Sequence, residues 1–90
     1  MKIWKIELKK EITQLIKMPE MSEIMDIQMQ HNKIFMWVLT NPDNKEIEVK
    51  INMYGTGSVK NEAGYKNEYL ATVKDGDNNI WHFFMNYEVV

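Results

Sequence analysis

The feature that most limits what this chain can fold into is a period-two alternation of apolar and polar residues, repeated in short stretches and cut each time by turn formers. It is clearest from Glu46 to Met53, where Ile47, Val49, Ile51 and Met53 alternate with Glu48, Lys50 and Asn52. A strand sends successive side chains to opposite faces, so this segment has one face for a core and one for solvent. Lys2 to Lys9 behaves alike, with Trp4, Ile6 and Leu8 set against Lys5, Glu7 and Lys9. Ile12 to Met18 is read as a further strand, ended at Met18-Pro19 because the residue before a proline is pushed toward extended geometry. Met21 to Glu23 offers a short helical start. Beyond it, Met25, Ile27 and Met29 alternate with Asp26, Gln28 and Gln30, which favours a strand from Ile24 to Gln30.

His31-Asn32-Lys33 is a polar break of the kind that joins hairpin strands. Ile34 to Leu39 follows as a continuous apolar run too short for a typical helix, and is expected to be a central strand buried on both faces. Asn41-Pro42-Asp43-Asn44 predicts a second hairpin turn: proline fixes φ, while Asn and Asp tolerate left-handed geometry and bond their own backbone. From Gly55 to Glu68 the apolar pattern lapses, which predicts a long loop, and loops of such length are commonly mobile or take part in binding. Tyr69 to Lys74 and Asn79 to Met85 are two more strands, joined across Asp75-Gly76-Asp77-Asn78. Seven strands and no firm helix predict an all-β fold, a compact antiparallel sandwich or small barrel, with residues 1–90 forming a single β-rich domain.

A chain of 90 residues holds one core, and one this short buries only about 60% of its unfolded surface, so a homodimer interface would be a useful supplement. With 44% hydrophobic and 27% charged residues it falls in the globular and not the disordered regime. The absence of cysteine removes disulfides and thiolate zinc sites and makes the reducing cytoplasm the natural compartment. Met1 to Lys10 has basic residues but no uninterrupted apolar run, so neither a signal peptide nor a membrane span is expected. All eleven basic residues are lysine, and the net charge is −2. Without arginine, the usual fork for phosphates and guanine edges, sequence-specific nucleic-acid reading is not expected.

The residues able to carry chemistry are few. His31 falls in a turn. His82 shares a strand face with Ile80 and Phe84, where an imidazole either contacts a ligand or is satisfied by a hydrogen bond at the edge of the core. Asp75-Gly76-Asp77-Asn78-Asn79 opens like a calcium loop, but the sixth and twelfth positions, which need glycine and a bidentate acid, hold Ile80 and Asn86. It is read as a turn, and no metal is expected. Gly55-Thr56-Gly57 follows the best strand, yet the Lys-Ser/Thr pair and helix of a phosphate loop are missing. The glycines instead let the chain leave the strand sharply. No serine or threonine can be matched to a base and an orienting acid, so no catalytic residue, cofactor or enzymatic activity is expected. Trp4, Trp37 and Trp81 are expected in the core, but so short a chain has difficulty hiding three Trp, three Phe and four Tyr, which predicts one exposed apolar patch. The candidate binding residues are Tyr54, Gly55, Thr56, Gly57, Tyr65, Trp81 and His82.

Several short segments, in this order, resemble a family of small phage and prophage proteins. They are Ile3-Trp4-Lys5, Ile16-Lys17-Met18-Pro19, Gln28-Met29-Gln30, Trp37-Val38-Leu39 with Pro42, Tyr54-Gly55-Thr56-Gly57, Tyr69-Leu70-Ala71-Thr72 and Trp81-His82-Phe83. The chain departs from the family at Ser58, where members tend to have a histidine, and at Glu20-Met21, where they tend to have a small residue. The resemblance transfers no catalytic residue and implies a setting: small phage accessory proteins often bind host proteins, including components of CRISPR and other antiphage defences. The expected function is therefore a non-enzymatic module, working in the host cytoplasm, that binds and inhibits or redirects a host protein. Two alternatives stand beside it. One is a sponge for a nucleotide-like signal built on Trp81, His82, Tyr54 and the Gly55 to Gly57 backbone; the other is a virion or assembly component.

Overall fold

The computed structural model describes residues 1–57 and 65–88, which form seven strands: β1 (Lys2–Leu8), β2 (Thr13–Pro19), β3 (Glu23–Gln30), β4 (Lys33–Thr40), β5 (Glu46–Gly55), β6 (Tyr65–Lys74) and β7 (Ile80–Glu88). They pair into two antiparallel sheets, β1-β4-β3 and β2-β5-β7-β6, that stack as a sandwich and do not close into a barrel. The expected all-β architecture is thus found in its sandwich form.

The alternation explains the core. Leu8, Ile34, Met36 and Val38 point inward from the three-stranded sheet, and Val49, Ile51, Met53, Ala71, Val73 and Phe83 from the four-stranded one. Met36, Val38, Ile51 and Phe83 are completely buried where the central strands of the two sheets meet. Trp4 and Trp81 are half-buried on the inner sides of their strands.

The turns obey local chemistry. His31 and Asn32, with φ of 50° and 63°, make the two-residue turn between β3 and β4, the primed geometry that matches strand twist. The β6–β7 hairpin is closed by the Asp75 amide donating to the Asn79 carbonyl at 2.9 Å, with Asn78 at φ 66°.

Four expectations need correction. Asn41 to Asn44 does turn, with the Asn44 amide donating to the Asn41 carbonyl at 3.0 Å, but it makes no hairpin: β4 pairs with β1 and β3, whereas β5 pairs with β2 and β7. The turn carries the chain from one sheet to the other, tied there by the Glu20 amide on the Lys45 carbonyl at 2.7 Å. β4 is central but buried on its inner side alone, since Phe35, Trp37 and Leu39 are half-exposed on the outer side. The long loop is shorter than expected, because β5 runs to Gly55 and β6 begins at Tyr65; residues 58–64 lie outside the described residues. In β3 the alternation is broken by a bulge between Ile24 and Asp26, so Ile24, Ile27 and Met29 pair beside inward residues of β4 while Met25 is left exposed. Asp26 closes that bulge by accepting from the Ile27 amide at 2.8 Å.

Candidate binding face

Strand β7 separates the expected site residues by parity. Trp81 and Phe83 face the core; His82 and Phe84 face outward. The antiparallel register then supplies their neighbours, placing Tyr54 and Thr72 beside His82, and Asn52 and Tyr69 beside Phe84. Three of these rings form a cluster on the outer face of the four-stranded sheet. Tyr54 meets Phe84 edge-on at 5.8 Å between centroids and Tyr69 meets it at 5.7 Å, both inclined at 68°, the arrangement the ring quadrupoles favour. Tyr69 remains 57% exposed, so the cluster is open to solvent.

A chain of hydrogen bonds runs beside the rings. The Tyr69 hydroxyl bonds Thr72 Oγ1 at 2.7 Å, Thr72 Oγ1 bonds His82 Nδ1 at 3.1 Å, and His82 Nε2 bonds Thr56 Oγ1 at 2.9 Å. A neutral imidazole has one donor and one acceptor nitrogen, so one of the two threonines accepts from the ring and the other donates to it. Both ring nitrogens meet hydroxyls. The third member of a catalytic triad, a carboxylate on the base, has no counterpart in this chain of bonds.

Beneath the rings lies Asn52, 1% exposed. Its Oδ1 accepts from Thr13 Oγ1 at 2.9 Å, while its Nδ2 has no hydrogen-bond partner among the described residues. Burying an amide donor unpaired is costly, and such a group commonly marks a strained or functional position.

Of the other expected site residues, Gly55 pairs with Trp81 at the end of β5, and Gly57 takes φ 92° in the turn that follows, where a side chain would be strained. Tyr65 pairs with Glu88, at the far end of β7 from His82; its side chain lies outside the described residues. Trp81 belongs to a different network. Its indole donates at 2.9 Å to the buried carboxylate of Asp75, which also accepts from the Asp77 and Asn79 amides at 2.8 and 2.9 Å and from Asn79 Nδ2 at 3.2 Å. Lys10 stands 3.6 Å away. The indole, followed by the hydrogen bonds from Asn79 and Asp77, outweighs the cost of burial and holds the Asp75 carboxyl well below the ordinary carboxylate range. The acid that opened the calcium-like motif therefore locks a hairpin.

The sequence pointed to Tyr54, Thr56 and His82 and missed Asn52, Tyr69, Phe84 and Thr72. Parity alone puts Phe84 with His82, but the remaining three arrive by strand pairing.

Among the described residues no helix is long and apolar enough to cross a membrane, and no group of three His, Cys, Asp or Glu is arranged to hold a metal ion. No curated protein and no solved structure matches the chain. A family model does, over residues 1–89, and by that match the chain belongs to the family described as Domain of unknown function (DUF7352).

Proposed function

We propose that this chain is a non-enzymatic protein-binding module of phage or prophage origin, acting in the host cytoplasm on a host protein such as an antiphage defence component, and that the partner seats on the outer face of the four-stranded sheet. The observation that carries this reading is the open Tyr54–Phe84–Tyr69 cluster joined to the Tyr69–Thr72–His82–Thr56 hydrogen bonds. Tyrosines that offer a ring and a hydroxyl together are typical anchors of protein interfaces. The charged side chains flanking the cluster in register are Lys50 and Lys74, beside Asn86 and Ile80. Lys74, exposed beside the cluster, favours an acidic, acceptor-rich partner surface. The nucleotide-sponge reading loses one contact, because Trp81 faces away from His82.

The test is capture from host lysate by tagged protein, with Tyr69→Ala and His82→Ala beside a control, Met25→Ala, on the other sheet. The expected result is a stoichiometric host protein held by the parent and the control and released by both face variants. Equal retention by all four would refute the proposed face, and capture of no protein would refute the function for that host.

A further inference from the structure

The three-stranded sheet also has an open outer face, and its charges are arranged to fit a second copy of itself. Along β4 this face carries Phe35, Trp37 and Leu39, with Phe35 and Trp37 rings 6.4 Å apart. β1 adds Ile3, 60% exposed, and Lys5, whose ammonium lies 4.2 Å from the Phe35 ring centroid and 5.7 Å from that of Trp37. The outward residues form three rows across the sheet: Ile3, Leu39 and Glu23; Lys5, Trp37 and Asp26; Glu7, Phe35 and Gln28. In the middle row a cation and an anion stand one strand to either side of Trp37.

We propose that this face is the interface of a symmetric homodimer, with the two-fold axis lying in the interface nearly parallel to β4 and passing by Trp37. Such an axis sets β1 of one copy over β3 of its partner. Lys5 of each copy then faces Asp26 of the other, giving two reciprocal ion pairs around stacked Trp37 side chains, while Glu7 faces Gln28 and Ile3 faces Glu23. Sheets stacked face to face stand about 10 Å apart, a gap that a lysine and an aspartate close together. A two-fold perpendicular to the strands and passing by Trp37 instead sets Lys5 against Lys5 and Asp26 against Asp26. Like charges facing each other across an interface are strongly disfavoured, so the charge pattern selects one arrangement and rejects the other. The surface is isologous in the sense a two-fold interface requires. Three strands of seven or eight residues make a face at the small end of specific interfaces, so the dimer forms with concentration.

The experiment is sedimentation equilibrium over a concentration series on the parent, on Lys5→Glu, on Asp26→Lys and on an equimolar mixture of the two variants, with far-UV circular dichroism to show that each folds. The parent is expected to pass from 10.8 kDa to twice that mass. Each variant alone is expected to lose at least about a hundredfold in dimer affinity, and the mixture to recover it, because both facing pairs are again of opposite sign. A parent that stays monomeric to about 1 mM overturns the proposal. So does a dimer that either charge reversal leaves intact, or a mixture that fails to associate. If Asp26→Lys unfolds through loss of the β3 bulge, Lys5→Glu mixed with the parent decides: the proposal expects a mixed dimer weaker than the parent's and stronger than the variant's, and equal affinity in all three overturns it.

Discussion

Replacing Asn52 by leucine should make the free protein more stable, which is unusual for a substitution at a position only 1% exposed. Asn52 Oδ1 takes one hydrogen bond, from a threonine whose own residue is exposed, while Nδ2 has no hydrogen-bond partner among the described residues. An unsatisfied buried donor costs about 1–3 kcal/mol, and turning the amide by half a turn would only exchange which atom is left over. Leucine has the same four side-chain heavy atoms in the same branching. It removes the desolvation cost, and Thr13 can bond water instead. Against this stand the lost hydrogen bond, about 1 kcal/mol net, and the larger volume of two methyl groups. The balance is a gain of about 1 kcal/mol, which in a domain of this size raises Tm by about 4–8 °C. Thermal and urea unfolding followed by circular dichroism measure it, with an unchanged urea slope showing that the two end states are the same. A loss of more than about 1 kcal/mol at constant slope would refute the reasoning, since relief of the unpaired donor would then be outweighed by the lost hydrogen bond and the added volume. The same variant should capture the partner less well if Asn52 is kept at a cost in stability for the sake of binding.

Three further outcomes follow from the packing and charges. Phe83→Ala, at a completely buried position between the sheets, should cost about 3–5 kcal/mol in urea unfolding, a large share of the stability of any small domain. Asp75 has a folded pKa below its unfolded value, so its contribution is present above the usual carboxylate range and is lost as pH falls through that range and below it; Tm of the parent should therefore drop more steeply between about pH 4 and 2 than Tm of Asp75→Asn, which starts lower at neutral pH. Trp81→Phe should lower Tm at neutral pH and flatten the same acid limb, because the indole is the largest influence on that carboxyl; an unchanged limb would contradict the assignment.

How much of this was legible in the sequence depends on the range of the interaction. Strand identity was legible, because alternation is a local pattern that burial of one face imposes, and the turn at His31-Asn32 and the hairpin at Asp75 to Asn78 were legible from their own residues. The β3 bulge was not: Ile24 and Ile27 both sit beside inward residues of β4, and no local preference tells that Met25 is the one left over. The Asn41 to Asn44 segment shows the same limit. Its residues specify a turn, but whether the next strand folds back beside β4 or crosses to the other sheet depends on what β5 can bury. Ile51 and Met53 are buried in the core that Met36 and Val38 fill from the opposite sheet.

The candidate face was hidden for a related reason. Chain order runs β5, β6, β7, whereas spatial order runs β5, β7, β6. Had sequential neighbours paired, Tyr54 would have met β6 directly and His82 would have stood on an edge. Insertion of β7 between them places His82 between Tyr54 and Thr72, and Phe84 between Asn52 and Tyr69. His82 and Phe84 thereby acquire neighbours on both sides, and this makes possible both the hydrogen bonds on the two imidazole nitrogens and the two edge-on contacts to one phenylalanine. The β6 bulge between Tyr69 and Ala71 adds a residue on the edge strand, so that Tyr69 and Thr72, three apart in sequence, both face outward and their hydroxyls meet. Without the bulge, residues three apart would lie on opposite faces of the strand. Deleting Leu70 should therefore remove the bulge and leave Tyr69 and Thr72 two apart in a regular strand, both still facing outward, so partner capture should survive wherever the fold does, as it should in Leu70→Ala; loss of capture by a folded deletion variant alone would show that the bulge's own geometry, beyond its parity, brings the two hydroxyls together.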